Sequence, residues 1–242
     1  MDEAPLVLVH GFTGSKADWA GVVDALSVDR PVLTHEHRGH GDAENTGDPA
    51  SYTFDRLTAD FAAAMDERLG DEPFHLLGHS MGGIVSMRYA LDHPERLRSL
   101  VLMDTAAQAS PGDGAGFMQA GIDRVRETGD LVALLEGMRQ FVDEETFARM
   151  EASWSRMDPV AFVALGTELL AYDDGTLERL AHLPVRTTVL VGEHDAGLRG
   201  AADDLAATIP GATLVVIPDA GHSPQLENRA AWLAAVIDHL GD

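Results

Sequence analysis

Six short apolar runs recur along the chain with helical segments between them, and no other feature narrows the fold as far. They are PLVLVH (5–10), PVLTH (31–35), PFHLLG (73–78), SLVLMD (99–104), RTTVLVG (186–192) and ATLVVIP (212–218). Near-continuous apolarity over such lengths suits strands buried on both faces, which means a parallel sheet with helices on each side. The intervening segments supply those helices. In TFDRLTADFAAAMDERLG (53–70), Phe54, Leu57, Phe61, Met65 and Leu69 recur at three- and four-residue steps, and Gly70 stands where a C-cap glycine belongs. MGGIVSMRYALDHPERL (81–97) and NRAAWLAAVIDHL (228–240) read as helices in the same way. The expected class is α/β.

The rhythm breaks once. Between SLVLMD and RTTVLVG, about eighty residues hold no good strand, opening loosely with QASPGDGAG (108–116) and continuing as amphipathic helices to about Leu180. That is too long for a single crossover. The expectation is a core of residues 1–106 and 183–242 with a helical cap, 107–182, inserted over one end of the sheet. A chain of 242 residues fits one such domain with its insertion.

The chain has no cysteine, which excludes disulfides, thiolate metal sites and cysteine nucleophiles. Its 40 acids against 17 bases give a formal charge of −23, and Lys16 is the only lysine. Such a surface repels phosphate backbones and anionic lipid heads, so neither nucleic acid nor a membrane is an expected partner. MDEAPLVLVHG places two acids before a short apolar run, unlike a signal peptide, and no apolar run approaches the roughly 18 to 20 residues that span a bilayer. The expected location is cytoplasmic.

Two motifs carry candidate chemistry. LTHEHRGHGD (33–42) packs His35, His37 and His40 beside Glu36 and Asp42, residue types that bind zinc or iron. Histidines also cluster in turns for other reasons, so the run alone leaves the metal open. HLLGHSMGG (75–83) holds Gly78-His79-Ser80-Met81-Gly82, a G-x-S-x-G directly after a buried strand and directly before a helix. That context makes it a nucleophile elbow, with Ser80 on a sharp turn at the positive end of a helix. A serine hydroxyl needs a base, and the base an orienting acid. His222 in DAGHSPQLEN (219–228) follows the last strand, and Asp195 in LVGEHDAG (190–197) follows the strand before it. Both loops leave the carboxyl edge of the sheet, as Ser80 does.

Ser80 in its elbow, Asp195 after GEHD, His222 in GHSPQLEN and HGF at 10–12 together resemble the α/β-hydrolase superfamily, over the whole chain apart from the inserted helices. The resemblance implies an α/β-hydrolase fold of about six strands, beginning at the strand that feeds HGF. It implies an oxyanion hole formed by the amides of Phe12 and Met81, with His10 bracing the loop, and a catalytic triad of Ser80, Asp195 and His222; Asp104, at the end of SLVLMD, stands where some members carry the acid instead, Asp195 at the commoner position. It also assigns Glu36-His37-Arg38-Gly39-His40-Gly41 to a structural turn, so no metal and no cofactor are expected. Relatives with an aspartate nucleophile are excluded by Ser80, and haloperoxidases of this type often carry tryptophan where Phe12 stands.

The expected activity is a serine hydrolase, carboxylesterase-like, acting on a small-molecule carboxylic ester or lactone. Candidate substrate contacts are Trp19, Phe141 and Trp154, with Met118, Met150 and Met157 as further candidate lining; each is equally suited to helix packing. HGFTGSKADW and GEHDAGLRGAADDLAATIPGA are similar to the menaquinone-biosynthesis lyases that make succinyl-hydroxycyclohexadiene carboxylate. Those enzymes usually place arginine directly after the elbow's GG, where this chain has Ile84; Arg124, Arg126, Arg139 and Arg156 are the cap arginines available instead. Cleavage of C–C bonds in ring-cleavage diketones and a non-catalytic ligand receptor are the remaining alternatives. The oligomeric state is not legible.

Overall fold

The computed structural model describes residues 4–109 and 114–241. Its centre is one six-stranded sheet in the order β2-β1-β3-β4-β5-β6, every neighbouring pair parallel. The strands are β1 (Leu6–Val9), β2 (Val32–His35), β3 (Phe74–His79), β4 (Leu97–Met103), β5 (Thr187–Gly192) and β6 (Thr213–Ile217). Each coincides with one of the six apolar runs to within two residues at either end. The order reverses beside β1, so loops after β1 and β3 meet at one edge, where open parallel sheets place their ligands.

Alternation along the strands explains why the runs are apolar throughout. Val7, Val9, Leu76, Leu100, Leu102, Val189 and Val191 enter one core, and Leu6, Leu8, Leu77, Val101, Met103 and Leu190 enter the other. The first core is covered by α2 (Phe54–Leu69) and α3 (Met81–Asp92), the second by α1 (Ala20–Leu26) and the terminal helix Arg229–Gly241. In α2 the stripe of Phe54, Leu57, Phe61 and Met65 is fully buried, each side chain contributing about 2 to 3 kcal/mol of transfer free energy. Thr53 caps its start by accepting the Arg56 N–H. In the second core the Trp232 indole N–H donates to Met103 Sδ at 2.9 Å.

One boundary differs from expectation. The helix opened by Met81 ends at Asp92 rather than continuing to Leu97. Pro94 has no N–H to offer and disfavours a helical residue before it, so the chain turns through a short Pro94–Arg96 segment into β4.

Between β4 and β5 the described residues form five α-helices: Ala115–Thr128, Leu131–Glu136, Glu144–Trp154, Pro159–Ala171 and Thr176–Leu180. Their buried residues, including Ile122, Leu135, Phe147 and Leu165, continue the first core rather than forming a separate one. Asp158 fastens them to the core: it accepts from the Tyr52 hydroxyl at 2.5 Å and from the Gly47 N–H at 3.0 Å. Among the described residues, no helix is long and apolar enough to cross a membrane.

Candidate active site

Ser80 occupies the turn between β3 and α3 with φ +53°, a backbone conformation that a non-glycine residue adopts only where its surroundings impose it. Those surroundings are visible. Its N–H donates to Met103 O at 2.9 Å, while its carbonyl accepts the Thr105 hydroxyl at 2.7 Å and the Gly83 N–H at 2.8 Å. A Cβ on Gly82 would lie 2.5 Å from the carbonyl oxygens of Val9 and His10, and a Cβ on Gly11 would lie 2.9 Å from Ser80 Cβ. Glycine at these positions lets α3 and the loop after β1 close on the serine. Met81 opens α3, so its amide belongs to the helix's unpaired N-terminal turn.

His222 Nε2 lies 3.1 Å from Ser80 Oγ, and its Nδ1 lies 2.7 Å from Asp195 Oδ2. The ring is half exposed, while the Asp195 carboxyl is nearly covered. Burial pushes Asp195 up, but the hydrogen bond and charge of His222 outweigh it and hold the carboxyl below its ordinary value. The loop carrying His222 is clamped from two sides. The Gly221 and Ser223 N–H groups donate to the Glu227 carboxylate at 2.6 and 2.9 Å, and His79 Nε2–H donates to the His222 carbonyl at 2.7 Å. Burial and the neighbouring His222 push His79 down to about 3, so it stays neutral at this station.

The four histidines of the HG and HEHRGH segments form one buried cluster behind the loop after β1. Ring centroids of His10 and His37 are 4.7 Å apart, of His10 and His40 5.1 Å, and of His35 and His37 5.2 Å. His10 Nδ1–H donates to Gly11 O at 2.8 Å and its Nε2 accepts the His37 N–H at 3.1 Å; His37 Nε2–H returns to His10 O at 3.2 Å. Both ring nitrogens of His10 are thereby spent on shaping the loop. Glu36 accepts the Lys16 and Asp42 N–H groups, and Arg38 pairs with Asp60 at 2.6 Å, so the acidic and basic members of the motif hold the turn. Among the described residues, the ligand atoms that converge within 4.8 Å belong to Asp104, Asp195 and His222 and to the exposed Glu193, His194 and Asp219, and the histidine cluster is not among them.

A family model described as alpha/beta hydrolase fold matches residues 4–229. The chain belongs to the α/β-hydrolase fold family. A dihydrolipoyllysine-residue acetyltransferase component of an acetoin cleaving system from Cupriavidus necator is 31% identical over 244 residues, covering 98% of this chain. The chain spans 63% of that relative's length. A Bacillus subtilis protein named as a 2-succinyl-6-hydroxy-2,4-cyclohexadiene-1-carboxylate synthase is 26% identical over 261 residues, covering 99% of this chain and 93% of its own. The crystal structure of the enol-lactonase from Burkholderia xenovorans LB400 superposes with a TM-score of 0.86 at 26% identity, covering 100% of this chain and 93% of that one.

In this α/β-hydrolase two cavities meet at Ser80 and His222. The larger, about 960 Å³, runs under the inserted helices and is walled by Ile84, Met118, Leu169, Leu170, Leu177 and Leu205. The smaller, about 330 Å³, is bordered by Phe12, Asp18, Arg149, Met150, Trp154 and Leu226. Of the residues expected to meet substrate, Trp154 borders the smaller cavity with its ring 6.0 Å from that of Phe162. Trp19 does not. It continues the stripe of Val22 and Leu26 and is fully buried in the second core, 6.2 Å from the Trp232 ring, because helical spacing turns that face to the sheet. The side chain of Phe141 lies outside the described residues. Met118 borders the larger cavity and Met150 the smaller, whereas Met157 is packed into the first core.

The arginines of the insertion mostly face acids. Arg126 pairs with Asp123, Arg139 with Glu136 and Glu144, and Arg156 with Asp42; Arg124 is exposed and borders neither cavity. Arg149, which sequence reading passes over, is the one lysine or arginine among the described residues lining either cavity. Glu227 and His79 likewise carry no signal of a role in the sequence. Only their three-dimensional relation to the His222 loop distinguishes them.

Proposed function

We propose that the protein is a serine hydrolase that cleaves an uncharged carboxylic ester or lactone through an acyl-enzyme on Ser80. The observation that carries this reading is the chain of contacts from Ser80 Oγ through His222 to Asp195, at 3.1 and 2.7 Å. Ser80 Oγ attacks the carbonyl carbon as His222 Nε2 takes its proton. The oxyanion forms between the amides of Phe12 and Met81, on the positive end of α3. His222 then gives the proton to the departing alcohol, leaving the acyl group on Ser80. Water enters, loses a proton to His222, and attacks the ester; the acid leaves and Ser80 recovers its proton. Asp195 carries its negative charge throughout and stabilises the imidazolium.

The character of the larger cavity supports an uncharged, apolar substrate group. No lysine or arginine lines it among the described residues, while Asp104, Asp195 and Asp204 do. A polyanionic substrate of the kind handled by the succinyl-hydroxycyclohexadiene-carboxylate synthases would meet Ile84 and these acids rather than guanidinium groups, which weighs against the lyase reading. The relative of that name, 26% identical, is what keeps it as the second reading.

Steady-state hydrolysis of p-nitrophenyl acetate, butyrate, octanoate and hemisuccinate tests the proposal. Each methylene buried in the larger cavity contributes about 0.8 kcal/mol, so butyrate is expected to exceed acetate in kcat/KM by about tenfold. Hemisuccinate is expected to fall below butyrate. Absence of sustained turnover on every ester, or a preference for hemisuccinate, contradicts the proposal and directs attention to the lyase substrate.

A further inference from the structure

A second carboxyl group is buried against the acid of the site. Asp104 ends β4 on the residue after Met103, with φ +44° and no exposed surface. Its N–H donates to Leu190 O at 2.9 Å, and its Oδ1 accepts the Gly192 N–H at 2.9 Å. Both contacts fix it between β4 and β5. Its Oδ2 is also buried and has no hydrogen-bond partner among the described residues. The carboxyl of Asp195 is its neighbour: a carboxylate oxygen of Asp104, one of Asp195 and a ring nitrogen of His222 lie within 4.8 Å of one another.

Two carboxyl groups this close, with no lysine or arginine lining the cavity beside them among the described residues, do not both ionise. The surroundings decide which one holds the proton. Asp195 meets the His222 ring, whose positive charge during reaction favours an anion. Asp104 lies deeper, receives a single amide hydrogen bond, and is faced by the negative charges of Asp195 and Glu227; His79 nearby is neutral. Resting on the reading of Asp195 as the triad acid, we propose that Asp104 is a positioning residue that stays protonated and donates a hydrogen bond to Asp195. The pair then shares one negative charge, held at the oxygen that meets His222. Burial, with Asp195 and Glu227 beside it, pushes Asp104 up to about 9, in line with that arrangement.

An amide can replace a neutral carboxylic acid in this role, and a methyl group cannot. Selective ¹³Cγ labelling of aspartate in the full chain gives a direct reading. At pH 7 one aspartyl carboxyl is expected at the shift of the protonated acid, titrating near pH 9 and missing from Asp104→Asn. In Asp195→Asn its titration is expected to fall by about one pH unit or more, because the like charge is gone. In ester hydrolysis, Asp104→Asn is expected to keep kcat within about 3-fold of the wild type at pH 7 and Asp104→Ala to lose about 10- to 100-fold. Above pH 9 the wild type loses activity as Asp104 ionises, while Asp104→Asn does not. Titration of every aspartate below pH 6, or an Asp104→Asn variant as impaired as Asp104→Ala, overturns the proposal. A protonated Asp104 in a protein that hydrolyses no ester supports the pairing and removes the hydrolase reading alone.

Discussion

Replacing Ser80 by alanine is expected to lower kcat for p-nitrophenyl butyrate by about 10⁴-fold or more, with KM little changed. The variant keeps both cavities and the His222–Asp195 contact, so it binds the ester but lacks the oxygen that forms the covalent bond. His222→Ala is expected to cost as much. Without a base at 3.1 Å from Oγ, the hydroxyl is a poor nucleophile at neutral pH. The double variant should be no worse than either single one, because the two residues perform one proton-coupled step and their losses are not additive. Activity of the double variant far below both singles would show the two groups acting in separate steps. Measurements of kcat and KM on purified wild type, both singles and the double distinguish these outcomes.

The second large effect concerns stability in acid. Burial pushes His40 down to about 4, burial with the charge of Arg68 pushes His35 down to about 4, and burial with the neighbouring histidines pushes His10 and His37 well below the ordinary imidazole value, so all four are neutral in the folded protein. In the unfolded chain they titrate near 6.5. Above that pH neither state binds a proton and the stability is fully present. As the pH falls towards 4 the unfolded state gains protons that the folded state refuses, so stability is lost. Each of His35 and His40 accounts for about 3 kcal/mol over that interval, a large share of the 5 to 15 kcal/mol typical of a domain. The general charge works the other way: a chain of formal charge −23 loses self-repulsion as its carboxylates protonate. The buried imidazoles are expected to prevail, with Tm falling by about 10 °C or more between pH 7.5 and pH 5. His35→Phe should flatten that dependence. His35 already packs edge-on against Phe61 at 5.1 Å, and its Nε2 is buried without a partner. Thermal melts that rise towards pH 5, or an unchanged slope in His35→Phe, would contradict this account.

The sheet was legible because burial on both faces writes itself into consecutive residues: each of the six strands falls in an apolar run. Chain order also told which loops leave the same sheet edge, and the fold brings the side chains of Ser80, Asp195 and His222 together there. What stayed hidden depends on packing between segments far apart in sequence. Trp19 reads equally as core or cavity until α1 is set against the sheet, and its helical stripe then turns inward. The carboxyl of Glu227, the ring of His79 and the guanidinium of Arg149 acquire their places only when the His222 loop and the inserted helices are in position. The place of HEHRGH could not be read from composition either. The roles of Glu36 and Arg38 in the turn, accepting the Asp42 N–H and pairing with Asp60, exist only once the segments are packed together.

The central claim is that Ser80 becomes covalently acylated. Incubation with diethyl p-nitrophenyl phosphate, which transfers a phosphoryl group to an activated serine and leaves it there, tests that claim without knowledge of the natural substrate. Intact-mass measurement followed by peptide mapping is expected to find one adduct per chain, on Ser80, with none in Ser80→Ala and a rate about 10³-fold lower in His222→Ala. An unmodified protein, or an adduct on any other residue, would contradict it.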